Sequence, residues 1–585
     1  MKLRKSNYNK SPFIEVEKDS SHCFVGWQNI FQELNNKISS SQNKKIIVVI
    51  ECYHGVGEDV LQQFQQHINH THWIQSKNAF KDEDEILKMV HPDVTDDSIF
   101  GYLTRLRMVD YFNQKKLNIE KSICDNLLEG IIVVYGVGAV CITPEYDFLV
   151  YADMARWEIQ LRMRSNQLDN LGTNNRNNSF TSQYKQAFFV DWRVCDILKK
   201  QLMNHWDYVL DSNKSIEPKL IKGQAILRGL KKATQQPFRV VPFFDPGPWG
   251  GQWLKEVCDL DRSEINFAWG FDCVPEENSL LLGFGDVVVE IPSINLVFYQ
   301  PNELLGEKVH SRFGDEFPIR FDFLDTMEGG NLSLQVHPIT EYIQEKFGMK
   351  YTQDESYYML DSKEGAFVYL GVQDDVDSVQ MIDELKYSQE TGHHFDADKH
   401  VAKWYIKKHD HVSIPAGTVH CSGNNSMVLE ISATPYMFTF KLWDWDRLGL
   451  DGKPRPINIE HGEKNIQWNR NASWVKKNAL NLVEPIHEEI GLKEERTGLN
   501  ELQFIETRRH WFSKKVLHHT NGGVNVLNLV EGDEVIVESP SHAFEPFVVH
   551  YVETFIVPAS VGEYTIRPYG KSEGKECVTI KAYVR

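Results

Sequence analysis

Between Leu332 and His337 apolar and polar residues alternate strictly, with Leu332, Leu334 and Val336 set against Ser333, Gln335 and His337. A period of two belongs to a strand with one face in a core, so Ser333, Gln335 and His337 share the other face. Pro338 has no amide hydrogen for a ladder and ends the strand just past the histidine. Further on, Asp354-Glu355-Ser356-Tyr357-Tyr358-Met359-Leu360 is apolar on both sides, as a strand inside a sandwich is. Ile414-Pro415-Ala416-Gly417-Thr418-Val419-His420 reads as a turn that delivers His420 into another strand. If Gln335, His337, Glu355 and His420 all face inward, two imidazoles, a carboxylate and an amide oxygen make a pocket for a borderline divalent metal, zinc fitting best. A buried histidine at a strand end is more often a satisfied core residue than a ligand, and no compact motif fixes these four. Spacing alone leaves both readings open.

The rest of the composition narrows the surroundings of that pocket. The 585 residues suit about three domains with sizeable cores. A formal net charge of −19 argues against a nucleic-acid surface, which needs basic patches. The nine cysteines are scattered, with no Cys-x-x-Cys, which suits reduced thiols better than a disulfide framework. The first residues lack the apolar core of a signal peptide, and no apolar run reaches membrane-spanning length. The expectation is a cytoplasmic protein with no membrane partner; the sequence admits a homo-oligomer.

In the N-terminal part, residues 45–50 form a continuous apolar run, as in a buried parallel strand. A Gly-containing turn, Tyr53-His54-Gly55-Val56-Gly57, follows, and residues 60–68 read as a helix. Residues 130–138 and 146–151 fit two further parallel strands, and residues 153–164 a helix carrying Arg156, Arg162 and Arg164. Strand, Gly-turn, helix is the layout of a phosphate-binding loop. Over residues 44–235 the pattern is similar to uridine-kinase-like P-loop domains, which implies a parallel sheet with flanking helices. Glu58 and Asp59 stand where such a loop needs Lys and Ser/Thr, and two carboxylates there would repel a triphosphate. The loop is therefore expected to be degenerate, without ordinary ATP hydrolysis. The arginines either solvate a helix face or hold an anion, and residues 166–182 read as a mobile loop.

Several landmarks then follow in order from about residue 242 onward: Pro248-Trp249-Gly250-Gly251-Gln252-Trp253-Leu254, the Leu332–Pro338 segment, the Glu355 strand, the turn to His420, and Leu442-Trp443-Asp444-Trp445-Asp446-Arg447. Together this set resembles the class I mannose-6-phosphate isomerases of the short bacterial type. The resemblance implies a cupin (jelly-roll) barrel in which Gln335, His337, Glu355 and His420 bind one zinc ion. It also implies that Glu430 is the acidic catalytic residue and that Lys441 stands near the reacting carbons and the phosphate. Two positions depart from the family. Gln353 stands where it usually carries Lys, and Lys441 where it carries Arg, at a spacing from Glu430 one residue longer than usual. Lys keeps the charge but loses the bidentate fork.

An internal echo extends the architecture. Val557-Pro558-Ala559-Ser560-Val561-Gly562-Glu563 parallels Ile414–His420, which suggests a second jelly roll with Glu563 in place of the histidine and no metal ligands. Residues 474–497, charged and helix-friendly, are expected to join the two as a helix. His393, His394 and His400 read as a solvated loop. The expected chain is thus multidomain: an N-terminal segment (1–43), an α/β P-loop-like domain (44–235), a catalytic cupin domain with helical insertions (236–475), and a linker helix with a second cupin domain (476–585). The function implied is a zinc-dependent aldose–ketose isomerase acting on mannose 6-phosphate and fructose 6-phosphate. The alternative is a metal-binding cupin that senses or binds a sugar or sugar phosphate, or isomerises a different sugar.

Overall fold

The apolar run at residues 45–50 lies at the centre of a seven-stranded sheet as the strand Lys45–Cys52, buried from Ile46 onward. The computed structural model describes residues 5–585 except Leu499 and Leu502, and its chain divides into two compact units. The sheet belongs to the unit formed by Phe13–Lys232 and Ser279–Tyr299. Across it the order is Cys23–Val25, Lys219–Lys222, Tyr208–Asp211, Phe148–Asp153, Lys45–Cys52, Gly130–Gly136, His72–Gln75. The last five of these are mutually parallel, and the first two add antiparallel at one edge. Ile30, Leu34, Val60 and Phe64 from the helices Gly26–Ser40 and Glu58–His67 pack with Val48, Ile50, Val133 and Val150 of the sheet.

Gly55 in the turn before Glu58–His67 has φ +110°, and a Cβ there would lie 2.6 Å from Ile159, so only glycine lets the helix Arg156–Arg164 pack this closely. Of the arginines on that helix, Arg164 is exposed and lies over the Trp157 and Phe180 rings, while the other two are tied internally. Arg156 is 1% exposed and its Nη2 lies 2.5 Å from Asp196, while Arg162 bonds Glu158 at 2.9 Å and the Gly55 carbonyl at 3.4 Å. Arg156 and Arg162 are internal struts, their guanidinium groups taken up by Asp196, Glu158 and the Gly55 carbonyl. Residues 166–182 are pinned rather than loose: the buried Asn170 amide donates to Asp191 at 2.7 Å and to the Gln183 carbonyl at 3.0 Å.

The other unit comprises the residues up to Pro12, Ala233–Asn278 and Gln300–Arg585. It holds two pairs of facing sheets. In the first pair, a six-stranded sheet runs His411–Ile414, Asp354–Ser362, Ser426–Ala433, Ile319–Asp325, Trp269–Cys273, Phe243–Asp245. It faces a five-stranded sheet ordered Val401–Tyr405, Phe367–Val372, His420–Ser422, Leu334–Val336, Phe440–Trp443. The helices Thr340–Phe347 and Ser378–Thr391 are inserted between strands. His400 is not in a solvated loop: it is buried and meets Glu384 at 2.6 Å, while His394 pairs with Asp446 at 2.7 Å.

The second pair is a six-stranded sheet, Val483–Glu489, Leu492–Thr497, Ile505–Phe512, Cys577–Val584, Asn525–Glu531, Thr554–Val557, over a four-stranded one, Val516–His519, Glu563–Pro568, Glu534–Glu538, Phe547–His550. Here the helical reading of residues 474–497 fails. The helix is confined to Ala472–Asn478, and Val483–Glu489 and Leu492–Thr497 form a hairpin at the sheet edge. Opposite charges facing across the strands explain it: Arg496 meets Glu484, Arg508 meets Glu494 at 2.7 Å, and Arg509 meets Glu495 at 2.9 Å. The charge content that reads as helix-friendly is the charged dressing of an exposed edge strand.

Arg239 is the buried polar tie of this unit. It is 2% exposed, with Nη1 2.7 Å from Glu553, Nη2 3.3 Å from Asp272, and Nε donating to the Thr554 carbonyl at 3.1 Å. Arg239→Met is expected to leave two buried carboxylates uncompensated and to lower stability by about 3–5 kcal/mol. A fall in the urea midpoint of the transition involving this unit, with spectra of the folded baseline unchanged, checks it.

Candidate metal centre

Three short strands of the five-stranded sheet bring the first donors together. Gln335 lies directly across from His420 on one side and from Lys441 on the other, so the three side chains leave the sheet on the same face. Leu334 and Val336 are buried on the opposite face, and His337 follows at the end of the strand. In the facing sheet Glu355 and Tyr357 occupy alternate positions of one strand, with Ser432 opposite Glu355 and Glu430 opposite Tyr357. Asp322 flanks Glu430 from the other side.

Across the gap His337 Nε2 approaches Glu355 Oε2 at 3.1 Å, and His420 Nε2 approaches Glu355 Oε1 at 3.1 Å. One ligand atom from each of the three lies within 4.8 Å of the others, and all three residues are buried. The Gln335 amide stands 3.2 Å from His420 Nε2; turning that amide over exchanges its nitrogen for its oxygen at the same place. Both rings are held from behind, His337 Nδ1 2.8 Å from the Phe438 carbonyl and His420 Nδ1 2.8 Å from the Thr418 carbonyl. A carbonyl can only accept, so each Nδ1 carries the proton and each Nε2 presents a lone pair to the gap. His337 Nε2 and Glu355 Oε1 have no hydrogen-bond partner. Buried acceptors converging on one another without donors are what a cation satisfies.

The electrostatics agree. Burial opposes charge on Glu355, but His337 and His420 outweigh it and hold the carboxyl well below its usual range. Burial likewise opposes a proton on His337, yet Glu355 raises that pKa; at His420 burial prevails and the imidazole is held neutral more firmly than usual. A divalent ion here would take the place of the proton that His337 and Glu355 otherwise contend for.

Glu430 is coupled to this group through Gln353. The Gln353 Nε2 donates to Glu355 Oε2 at 2.8 Å and to Glu430 Oε1 at 3.1 Å, while its Oε1 accepts from the Phe438 amide at 2.8 Å. A neutral amide thus bridges two carboxylates. Burial, then Glu355 and Asp322, push Glu430 well above the ordinary carboxylate range. Lys441, half-buried opposite Gln335, is lowered to about 8 by burial and by Arg455. The six residues singled out in the sequence therefore meet between the two facing sheets: Gln335, His337, Glu355 and His420 together, Glu430 one amide away, Lys441 on the adjoining strand.

Sequence reasoning missed two parts of this site. Arg447 and Arg455 both bind Asp444, at 2.7 and 2.9 Å, and Arg455 also donates to Ser333 at 3.1 Å. Ser333 shares the alternation of Gln335 and His337 and could have flagged that edge; Arg455 follows no period and gives no signal. Tyr357 stands edge-on to His420 with ring centroids 6.0 Å apart, and its buried hydroxyl has no hydrogen-bond partner.

Comparison with known proteins adds four findings. A family model described as a domain of unknown function, DUF8485, matches residues 26–235. Mannose-6-phosphate isomerase ManA of Bacillus subtilis (strain 168) is 22% identical over 233 residues, 39% of this chain and 67% of its own length. The putative mannose-6-phosphate isomerase YvyI of the same organism is 25% identical over 231 residues, again 39% of this chain and 66% of its own. Both relatives carry the same activity in their names. The chain spans about two thirds of the length of these curated relatives. The crystal structure of the mannose 6-phosphate isomerase from Bacillus subtilis aligns over 60% of this chain and 99% of its own, at 17% identity and a TM-score of 0.48.

Proposed function

We propose that the chain is a metal-dependent aldose–ketose isomerase interconverting mannose 6-phosphate and fructose 6-phosphate through an enediol. The observation that carries the proposal is the buried convergence of His337 Nε2, His420 Nε2 and Glu355 at 3.1 Å. Similarity to relatives named mannose-6-phosphate isomerases supports the substrate class. Zinc suits two imidazoles, a carboxylate and the Gln335 amide oxygen, and bound there it would polarise the sugar carbonyl and stabilise its oxyanion. On this reading the barrel is the cupin domain of residues 236–475, the second pair of sheets is a cupin without metal ligands, and the parallel-sheet unit is a P-loop-like domain that does not hydrolyse ATP.

The chain's own groups supply the rest. Glu430 shares a sheet with Glu355 and faces Gln335, His337 and His420; burial raises its affinity for a proton, and it carries one between C2 and C1. Lys441 supplies a cation on the face shared with Gln335, where the phosphate or the developing oxyanion can be met. Arg447 and Arg455, held by Asp444, line the same edge.

Exchange of the C2 proton of mannose 6-phosphate in deuterated water tests the proposal. Exchange that requires zinc supports it. Full zinc content without exchange would select the alternative, a cupin that binds a sugar phosphate without isomerising it; the neutral Gln353, where a cation would stabilise the anionic transition state, favours that alternative.

The titration of Lys441 sets a pH limb. Its ammonium is lost as pH rises through about 8, so exchange is expected to fall above that value. Lys441→Arg keeps its charge far past it, and the alkaline limb should move up by at least one pH unit (roughly, from the ordinary guanidinium range). An unmoved limb in the pH–rate profile would remove Lys441 from the reaction.

A further inference from the structure

In the parallel-sheet unit the strands Lys45–Cys52, Gly130–Gly136 and His72–Gln75 lie side by side, and their last residues, Cys52, Gly136 and Gln75, share one cavity of about 500 Å³. Open parallel sheets bind small molecules in the crevice outside the carboxyl ends of their strands, in pockets of about 300–1,000 Å³. The turn at residues 55–58, the segment 75–81 and the segment 167–174 form the walls. The last of these is held in place, since the Asn170 amide donates to Asp191 and to the Gln183 carbonyl. Glu58, Lys77, Asn78, Gln167 and Arg176 are exposed, so the cavity reaches the surface between them. The isomerase chemistry makes no use of it.

The charges around this cavity cancel. Both carboxylates of its lining are already paired, Glu58 with Lys77 Nζ at 3.0 Å and Asp169 with Arg176 Nε at 3.0 Å. The remaining cation of the lining, Lys81, has its Nζ 3.5 Å from the Met89 sulfur. Against it stands Asp59, in the first turn of the helix Glu58–His67. The Asp59 carboxylate folds back over the preceding turn, its Oδ1 2.6 Å from where a Cβ on Gly57 would lie. It thereby takes the positive end of the helix, where a phosphate would otherwise sit. Lys77, Lys81 and Arg176 are thus matched by Glu58, Asp59 and Asp169, and no net charge is left to hold an ion.

What the lining offers is neutral hydrogen-bonding capacity beside apolar surface. The side-chain amides of Gln75, Asn78 and Gln167 bond no other described residue, and each carries two donors and an acceptor. Leu61, Phe80 and Val137 contribute apolar wall to the same space. A hydroxyl both donates and accepts at one atom, and the carbon that bears it presents C–H surface. A run of hydroxylated carbons therefore matches amides and apolar wall together. We propose that this cavity binds a small uncharged polyhydroxylated molecule, a sugar or a sugar alcohol, with Gln75, Asn78 and Gln167 on its hydroxyls. The site is independent of the metal centre and of the isomerase reading.

The test uses the full chain carrying His420→Ala, which disables the metal centre, and titrates it with mannose, sorbitol and inorganic phosphate by saturation-transfer NMR. Mannose, sorbitol or both should bind. Gln75→Leu removes one amide and Asn78→Trp fills the cavity; each, made in that background, should weaken binding by about tenfold or more. Neither side chain bonds the rest of the protein, so the thermal midpoint should stay at the parent level and a loss of binding reads on the cavity itself. Binding of mannose alone identifies a ring sugar, of sorbitol alone an open-chain polyol, and of both the run of hydroxyls they share. No binding of either overturns the proposal. So does binding indifferent to both substitutions, which places the sugar elsewhere, or binding of inorganic phosphate that the same substitutions abolish, which marks an anion site.

Discussion

Replacing His420 with alanine is expected to reduce bound zinc from one ion per chain to a small fraction and C2 exchange by ~10³-fold or more. The magnitude follows from the several kcal/mol that a Lewis acid contributes to an enediolate, each 1.36 kcal/mol being about tenfold in rate. His420 is central because it opposes Gln335 in register, sits 3.1 Å from Glu355, and has its Nδ1 tied to the Thr418 carbonyl. Removing it takes away one donor and unfastens the Gln335 amide. His394→Ala is the control: that histidine is exposed and pairs with Asp446 away from the gap, so metal content and exchange should stay at the parent level. Elemental analysis after gel filtration, alongside the exchange rate, reads both quantities. Stoichiometric zinc in the His420→Ala protein would mean the ion binds elsewhere.

The site was legible in the sequence where strand periodicity alone governs it. Alternation from Leu332 to His337 put Gln335 and His337 on one face, and the Pro-Ala-Gly turn delivered His420, because both depend on local backbone geometry. The resemblance paired these with Glu355, a partner that no spacing could supply. The parallel strands Lys45–Cys52 and Gly130–Gly136 were legible for a related reason: strands buried on both faces leave long apolar runs. What stayed hidden depends on partners distant in sequence. The hairpin at 483–497 has the composition of a helix, and only its charge partners across the strands reveal a sheet edge. Arg156 has the composition of surface, and only Asp196, brought in by another helix, makes it a strut. Arg455 joined the site through Asp444 and Ser333, a contact no motif encodes.

Glu430→Gln is expected to lower C2 exchange by ~10²–10⁴-fold, the usual worth of a positioned acid–base group, while zinc content and the KM for mannose 6-phosphate stay near the parent values. The substitution is close to isosteric, and its retained oxygen can still accept from Gln353 at 3.1 Å and from Ser432 at 2.8 Å, so the fold has little to lose. What goes is the capacity to give and take a proton. That capacity is tuned by position: burial, Glu355 and Asp322 all disfavour a second negative charge, and Arg320 only partly offsets them. A family-like lysine at position 353 would stabilise the Glu430 carboxylate; the Gln353 amide leaves it more basic, better at removing a proton but less often ionised. Combining Glu430→Gln with Gln353→Lys separates these effects, since the lysine can restore charge balance but not proton transfer. Exchange should therefore remain at the level of Glu430→Gln alone. If instead Glu430→Gln exchanges the C2 proton as fast as the parent, the base is another group, and Tyr357, on the same face with its unpartnered hydroxyl, becomes the residue to substitute next.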